Sequence, residues 1–184
     1  MRVISGSAKG HKLKSLKGMA TRPTADRIKE SLFNIIAAYL PDAYVLDLFA
    51  GTGSLGIESL SRGAEFVVFV DKNPMAVRII SENLLHTKLN EKAKVYNCDW
   101  SEYISRFSNA ERKYDIIFMD PPYSKGFIIP VLQQIWKKQL LSIEGMIIVE
   151  REKGDVIPEL IEGLKIVREQ HYGRTVITFI QYHK

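Results

Sequence analysis

Four aspartates in the middle of the chain lie within or just after apolar runs; each alone could be a solvated acid at a strand end, but together they point to one ligand site. Asp47 lies inside the apolar run 45–49, four residues ahead of the string Gly51-Thr-Gly-Ser-Leu-Gly56. Glycines at 51 and 53 let the backbone turn tightly and approach a ligand closely, and a helix starting there offers unpaired N–H groups. The string also meets the G-x-G-x-x-G dinucleotide pattern. A carboxylate buried ahead of it, however, favours a ligand with a positive centre or donor groups over a pyrophosphate. Asp71 closes the next apolar run, where an acid can accept both hydroxyls of a ribose. Asp99, followed by Trp100, can accept from an exocyclic amine with a flat ring alongside. Asp120-Pro121-Pro122-Tyr123 joins a short acid, a rigid turn that presents carbonyls and an aromatic ring. The Asp120 carboxylate and the Pro121 carbonyl can accept both hydrogens of a planar –NH₂ group. Tyr123 can stack on the ring that carries it. Such a grip pulls the amine lone pair out of conjugation, which is what turns a base amine into a nucleophile.

The elements that position these residues follow from hydrophobic patterning. Residues 45–49, 66–70, 116–119 and 146–149 are short, nearly continuous apolar runs, the habit of strands buried on both faces of a parallel sheet. Residues 95–96 are a weaker strand. Helices are expected between them. Asn73-Pro74 supplies an N-cap and a first-turn proline, with Val77, Ile80 and Leu84 on one face. Another helix begins near Pro130, with Leu132 and Ile135. Before the first strand, Ile28, Leu32, Ile35, Ile36 and Tyr39 form a helical stripe over 24–39, with Thr24 as N-cap and Asp26 in the first turn. This alternation predicts a doubly wound α/β domain. The two β-branched runs 165–168 and 175–182 are separated only by a turn around His171-Tyr-Gly173, so they form an antiparallel hairpin. Near the start, residues 2–4 and 12–14 are expected to form two small strands around a glycine turn.

Composition narrows the function classes. The chain has 184 residues, a formal net charge of +5, 46% hydrophobic residues and one cysteine. That length suits one domain with a small appendage. One cysteine excludes a disulfide framework and a multi-cysteine zinc site. Cys98 is read as a small core residue, the four histidines show no ligand spacing, and no metal is expected. Trp136 is read as core. No apolar run approaches the ~20 residues of a membrane span. The first ten residues lack the apolar core of a signal peptide, so a cytoplasmic location is expected. Nothing demands more than a monomer. The charge is uneven: residues 1–40 hold eight basic and two acidic side chains, net +6, while the remaining 144 hold 18 and 19. A basic arm on a neutral body fits a polyanionic partner, and on charge alone it fits a solvated, lysine-rich tail equally well.

In order and spacing, Asp47-Leu-Phe-Ala-Gly-Thr-Gly, Asp71, Asp99 and Asp-Pro-Pro-Tyr resemble the class I S-adenosylmethionine-dependent methyltransferases that act on amino nitrogens. Arg2-Val-Ile-Ser-Gly, Lys-Gly-His-Lys-Leu (9–13), Arg22-Pro23-Thr24, Asp26-Arg27 and Glu30-Ser-Leu-Phe-Asn34 bring the resemblance to the RsmD family, over residues 2 to about 182. Members of that family methylate N2 of a guanine in bacterial small-subunit ribosomal RNA. The resemblance implies a Rossmann-like, mostly parallel seven-stranded sheet ending in an antiparallel hairpin. Residues 1–20 would be a basic β-hairpin arm that contacts RNA, and 21–184 the methyltransferase domain. S-adenosylmethionine would be held by Asp47, Phe49, Ala50, Gly51, Thr52, Gly53, Asp71, Lys72, Asn73, Asp99 and Trp100. Asp120, Pro121, Pro122 and Tyr123 would hold the target guanine, and Asp120 suits guanine because an acid also accepts from the ring N1–H. Arg2, Lys9, Lys12, Lys14, Arg22, Pro23 and Thr24 would grip ribosomal RNA, within the small subunit.

Three other readings stay open at this level. An adenine N6 or cytosine N4 methyltransferase shares the Asp-Pro-Pro-Tyr type of motif, although a chain this short leaves little room for a separate sequence-reading domain. A non-catalytic RNA-binding module is disfavoured by the intact acids. A nicotinamide-dependent dehydrogenase fits the glycine string but has no evident hydride-transfer partner.

Overall fold

The computed structural model of the protein describes residues 1–15, 23–107, 112–122 and 125–183. Its centre is a sheet of eight strands: β1 (Tyr44–Asp47), β2 (Phe66–Asp71), β3 (Ala93–Asn97), β4 (Tyr114–Met119), β5 (Leu141–Glu152), β6 (Leu160–Ile161), β7 (Leu164–Tyr172) and β8 (Thr175–Tyr182). The spatial order is β3-β2-β1-β4-β5-β8-β7-β6. The first five strands pair in parallel, and β8, β7 and β6 continue the sheet antiparallel. The sheet has eight strands rather than the expected seven. The extra one, β6, is two residues long, pairs Ile161 with Leu164 across a turn and is too short to leave a periodic signal.

The parallel strands are apolar throughout because both faces are covered. Val45, Phe69, Ile116 and Phe118 face a core that takes Leu32, Phe33 and Ile36 from the region of helix α1 (Pro23–Ile35), Ile57 and Leu60 from α2 (Ser54–Ser61), and Ile80 and Leu84 from α3 (Pro74–Thr87). Leu46, Val70, Ile117 and Met119 face the opposite core, with Val131, Leu132 and Ile135 of α5 (Ile128–Lys137) and Ile104 beyond the single turn α4 (Trp100–Glu102). The Asn73 side chain accepts from the Met75 N–H at 3.0 Å, so α3 starts at the expected cap. Helix α1 begins one residue before the expected Thr24 cap, at Pro23, and stops at Ile35; Tyr39 leaves the stripe on a 3₁₀ turn and is exposed. Trp136 is not core. It is 37% exposed at the sheet edge, packed edge-on against Tyr182 and over Gly163, where a Cβ would meet the indole at 2.1 Å. Among the described residues no helix is long and apolar enough to cross a membrane.

The basic N-terminal segment is a hairpin seated on the body, with one bridge between Arg2 and Lys12 in place of two strands. Val3, Ala8 and Leu13 are buried in the α1–α2–α3 core, while Arg2, Lys9, Lys12 and Lys14 face outward. The anchor is Glu58, fully buried on α2. Its carboxylate accepts the backbone N–H groups of Ile4 (2.8 Å) and Ser5 (3.0 Å) and pairs with Arg62 at 2.8 Å and Lys29 at 3.4 Å. The Lys29 ammonium, itself 5% exposed, also donates to the Arg2 carbonyl at 2.6 Å. Burial pushes the Lys29 ammonium below its ordinary range, and Glu58 opposes that shift. Around the same turn the Ser7 N–H donates to the Ser61 carbonyl at 2.8 Å. Gly6 lies so close that a Cβ there would sit 1.7 Å from that oxygen. Removing one member of a buried ion cluster leaves the others charged and unpaired. Glu58→Ala is therefore expected to lower stability by about 3–5 kcal/mol in equilibrium urea unfolding, with Lys29→Met in the same chain recovering part of the loss. Unchanged stability in Glu58→Ala would show that the cluster does not hold the hairpin.

Candidate active site

The carboxyl ends of β1 to β5 open on one side of the sheet, and a cleft of about 790 Å³ runs across them. Asp47 ends β1 and is 1% exposed. The chain then turns through Gly51 (φ +54°) and Gly53 (φ +76°), left-handed backbone that glycine adopts without strain, into α2. Gly56 packs so tightly on β2 that a Cβ would meet the Phe69 ring at 2.2 Å. This close approach puts its N–H 3.3 Å from Asp47 Oδ2. Asp71, at the end of β2, accepts the N–H groups of Gly51 and Asn73, both at 2.8 Å, and so ties the glycine turn to the start of α3. Asp99, after β3, accepts from the Ser101 N–H (2.8 Å) and hydroxyl (2.7 Å) through one oxygen, and Trp100 follows in the cleft wall. Asp120, after β4, opens onto the other end of the cleft ahead of a buried Pro121 and an exposed Pro122.

The acids feel this crowding. Loss of water pushes the Asp47 carboxyl up to about 7; the Gly56 N–H opposes the shift and the charge of Asp71 adds to it. Desolvation deep in the concave cleft, then the negative charges of Glu150 and Asp47, raise the Asp120 carboxyl well above the usual carboxylate range, although the side chain itself is open to the cleft. A site with this donor set suits an elongated ligand with a cationic or donor-rich end at Asp47, hydroxyls near Asp71 and a planar ring near Trp100.

Ten of the residues expected to hold the cofactor line this one cleft: Asp47, Phe49, Ala50, Gly51, Thr52, Asp71, Lys72, Asn73, Asp99 and Trp100. Gly53 does not line it but caps α2. Asp120, Pro121 and Pro122 stand at the far end; Tyr123 lies outside the described residues, as does Arg22. Pro23 and Thr24 are in the first turn of α1. Arg2, Lys9, Lys12 and Lys14 lie together on the exposed side of the hairpin, with Lys14 paired to Glu82 at 2.9 Å. The cleft also contains residues that sequence reasoning missed. Met1 and Ser15, from the two ends of the hairpin, form part of its wall, and Phe127 packs near Phe49 with ring centres 6.3 Å apart. Glu150 was legible by the rule that found the other acids, since it follows the apolar run 146–149 as Asp120 follows 116–119.

Comparison with known proteins bears on this arrangement. The model of the family described as "Conserved hypothetical protein 95" matches residues 1–181. The Bacillus subtilis protein YlbH is 41% identical over 175 residues, 95% of each chain. The Escherichia coli protein named "Ribosomal RNA small subunit methyltransferase D" is 31% identical over 181 residues, 98% of this chain and 89% of its own. The chain belongs to the RsmD family. The solved structure of YhhF from Escherichia coli superposes with a TM-score of 0.88 at 30% identity, covering 99% of this chain and 97% of that one. The RsmD-family fold is the Rossmann-like methyltransferase fold, with its sheet finished by antiparallel strands.

The buried acid of this RsmD-family chain carries a pH signature. A carboxyl whose folded pKa is raised destabilises the native state as it ionises, so stability falls as pH rises from about 4 to about 7. A shift from 3.8 to about 7 corresponds to roughly 4 kcal/mol once Asp47 is fully charged. Asp47→Asn keeps an acceptor for Gly56 and removes the charge. Its melting temperature is expected to match wild type near pH 4 and to exceed it increasingly towards pH 8. Parallel melting curves for the two proteins across that range would contradict the assignment.

Proposed function

We propose that this chain is an rRNA methyltransferase that transfers a methyl group from S-adenosylmethionine to the exocyclic N2 amine of a guanine in small-subunit ribosomal RNA. The observation that carries the reading is the convergence of Asp47, Asp71, Asp99 and Asp120-Pro121-Pro122 on a single cleft at the carboxyl ends of parallel strands. The names of RsmD-family relatives that match 83% and 98% of the chain support ribosomal RNA as the substrate. S-adenosylmethionine supplies an electrophilic methyl on a sulfonium, already a good leaving group. The residues fit it: Asp47 is a buried carboxylate with one backbone donor and gains from a neighbouring cation; Asp71 retains lone pairs for ribose hydroxyls; Asp99 suits the adenine amine, with Trp100 beside the ring. Phe49, Ala50, Gly51, Thr52, Lys72 and Asn73 complete the walls, and Gly53 sets the turn.

At the other end, Asp120 and the Pro121 carbonyl accept the two hydrogens of the guanine amine, while Pro122 and Tyr123 flank the ring. The amine nitrogen, turned out of conjugation, forms its bond to carbon as the carbon–sulfur bond breaks, and its extra proton passes to Asp120 or water. No covalent enzyme intermediate is required. Positioning is the main contribution, worth up to ~7–11 kcal/mol in well-oriented systems. The target base must leave its stack, which costs a few kcal/mol, and phosphate contacts from the basic residues within 1–20, with Arg22, Pro23 and Thr24, offset that. The protein acts in the cytoplasm as a monomer on the small subunit, without a metal. An adenine or cytosine amine would fit the same turn less well, because each lacks a second donor beside the amine.

Labelled methyl transfer onto small subunits from a strain lacking this gene, with the product mapped to one nucleotide, tests the reading directly; unlabelled subunits would refute it. Asp120→Ala is expected to abolish turnover and leave S-adenosylhomocysteine affinity near wild type by calorimetry. Equal loss of both would remove Asp120 from the chemistry. Replacing Lys9, Lys12 and Lys14 together by Gln is expected to weaken RNA binding and reduce its salt slope by up to about three, with cofactor affinity unchanged. An unaltered slope would mean the hairpin does not touch phosphate.

A further inference from the structure

The cleft does not end at the Asp-Pro-Pro turn. A second hollow of about 190 Å³ opens behind it and shares Pro121, Pro122, Phe127 and Glu150 with the first. Its outer rim carries Val156, an apolar side chain left 82% exposed. Glu150 therefore stands on the partition between the two spaces. Strand register places it there. β4 and β5 run parallel with Met119 opposite Val149, so the next residues along, Asp120 and Glu150, are neighbours. Two carboxylates are thus held side by side where the substrate ring must enter.

Adjacent carboxylates repel each other, and a ligand edge made only of N–H donors relieves that repulsion. Among the bases, guanine presents such an edge: its ring N1–H lies next to the N2 amine. Adenine and cytosine each place a bare ring nitrogen, an acceptor, beside their amine, and an acceptor facing a carboxylate is repelled. We infer that Glu150 accepts the ring N1–H of the target guanine while Asp120 and the Pro121 carbonyl hold its N2 amine, so that the pair of acids sets base specificity. This rests on the methyl-transfer reading above. It divides the labour that a single acid would otherwise have to perform, leaving Asp120 to the reacting nitrogen. The apolar wall of the second hollow, with Phe127 and Val156, gives the unstacked ring a surface to lie against.

2-Aminopurine keeps the 2-amine but carries an acceptor at N1. The test uses small subunits reconstituted with guanine or 2-aminopurine at the nucleotide that the wild-type protein methylates. Wild type is expected to prefer guanine by on the order of 100-fold or more, because a site built for a donor rejects an analogue that lacks it. Glu150→Gln can turn its amide to donate to the N1 of 2-aminopurine, so the preference is expected to shrink at least about tenfold. Glu150→Ala is expected to lose roughly 10- to 100-fold on guanine. In both variants, unchanged S-adenosylhomocysteine affinity reports an intact fold. Glu150→Gln with wild-type discrimination and intact affinity would overturn the role of Glu150 and leave the methyl-transfer reading standing. Wild-type protein that binds S-adenosylhomocysteine but leaves guanine unmethylated would overturn that reading, and this inference with it.

Discussion

A parallel sheet covered on both faces meets water only at its ends, and in this molecule that constraint decides where chemistry can happen. Side chains along β1, β2 and β4 are committed to one core or the other. Polar side chains are confined to the strand ends: Asp115 near the start of β4, held by the Tyr44 N–H and the Ser142 hydroxyl, and the acids at the carboxyl ends. Asp47, Asp71, Asp99 and Asp120 occupy such positions, Glu150 stands beside them within β5, and the sheet's spacing brings all five to one opening. The glycine turn is part of the same constraint. Gly56 can lie against Phe69 only because it has no side chain, and that contact sets the N–H that steadies Asp47.

Two buried acids, Glu58 and Asp47, are handled in opposite ways. Glu58 is surrounded by donors: two backbone N–H groups, Arg62 and Lys29. Asp47 has one backbone N–H and a neighbouring acid, and its carboxyl is pushed towards neutrality. The first arrangement is complete and structural: it fixes the basic hairpin to α2. The second is incomplete in a way that a cationic ligand would complete. Because the hairpin is fixed rather than trailing, its ends, Met1 and Ser15, become part of the cleft wall. The outward-facing Arg2, Lys9, Lys12 and Lys14 are thereby carried on a segment anchored to the body rather than on a loose tail.

Much of this was legible in the sequence where a local rule sufficed. Continuous apolar runs marked four of the five parallel strands, and Asn73-Pro74 marked the start of α3. Acids at strand ends marked four corners of the cleft. What stayed hidden depended on distant partners or on very short elements. Nothing in the sequence around Glu58 marks it as buried, because its burial requires Lys29, which comes from another helix. β6 spans two residues and leaves no period. Trp136 reads as core by type, yet it covers Gly163 at an edge where half-exposure is enough. The N-terminal hairpin reads as a free arm by charge, because the three residues that bury it, Val3, Ala8 and Leu13, are too widely spaced to form a pattern.

The position of β8 carries a consequence for how the molecule is made. This strand, residues 175–182, is not at an edge but lies between β5 and β7. During synthesis the five parallel strands are complete by residue 152, yet the outer side of β5 then has no partner, and β7 and β6 have nothing to join. The sheet closes only when residues 175–182 have emerged. Until then a long apolar strand presents unpaired backbone, the feature that invites pairing with a neighbouring chain. Loss of residues 175–182 would therefore reopen the middle of the sheet rather than trim its border.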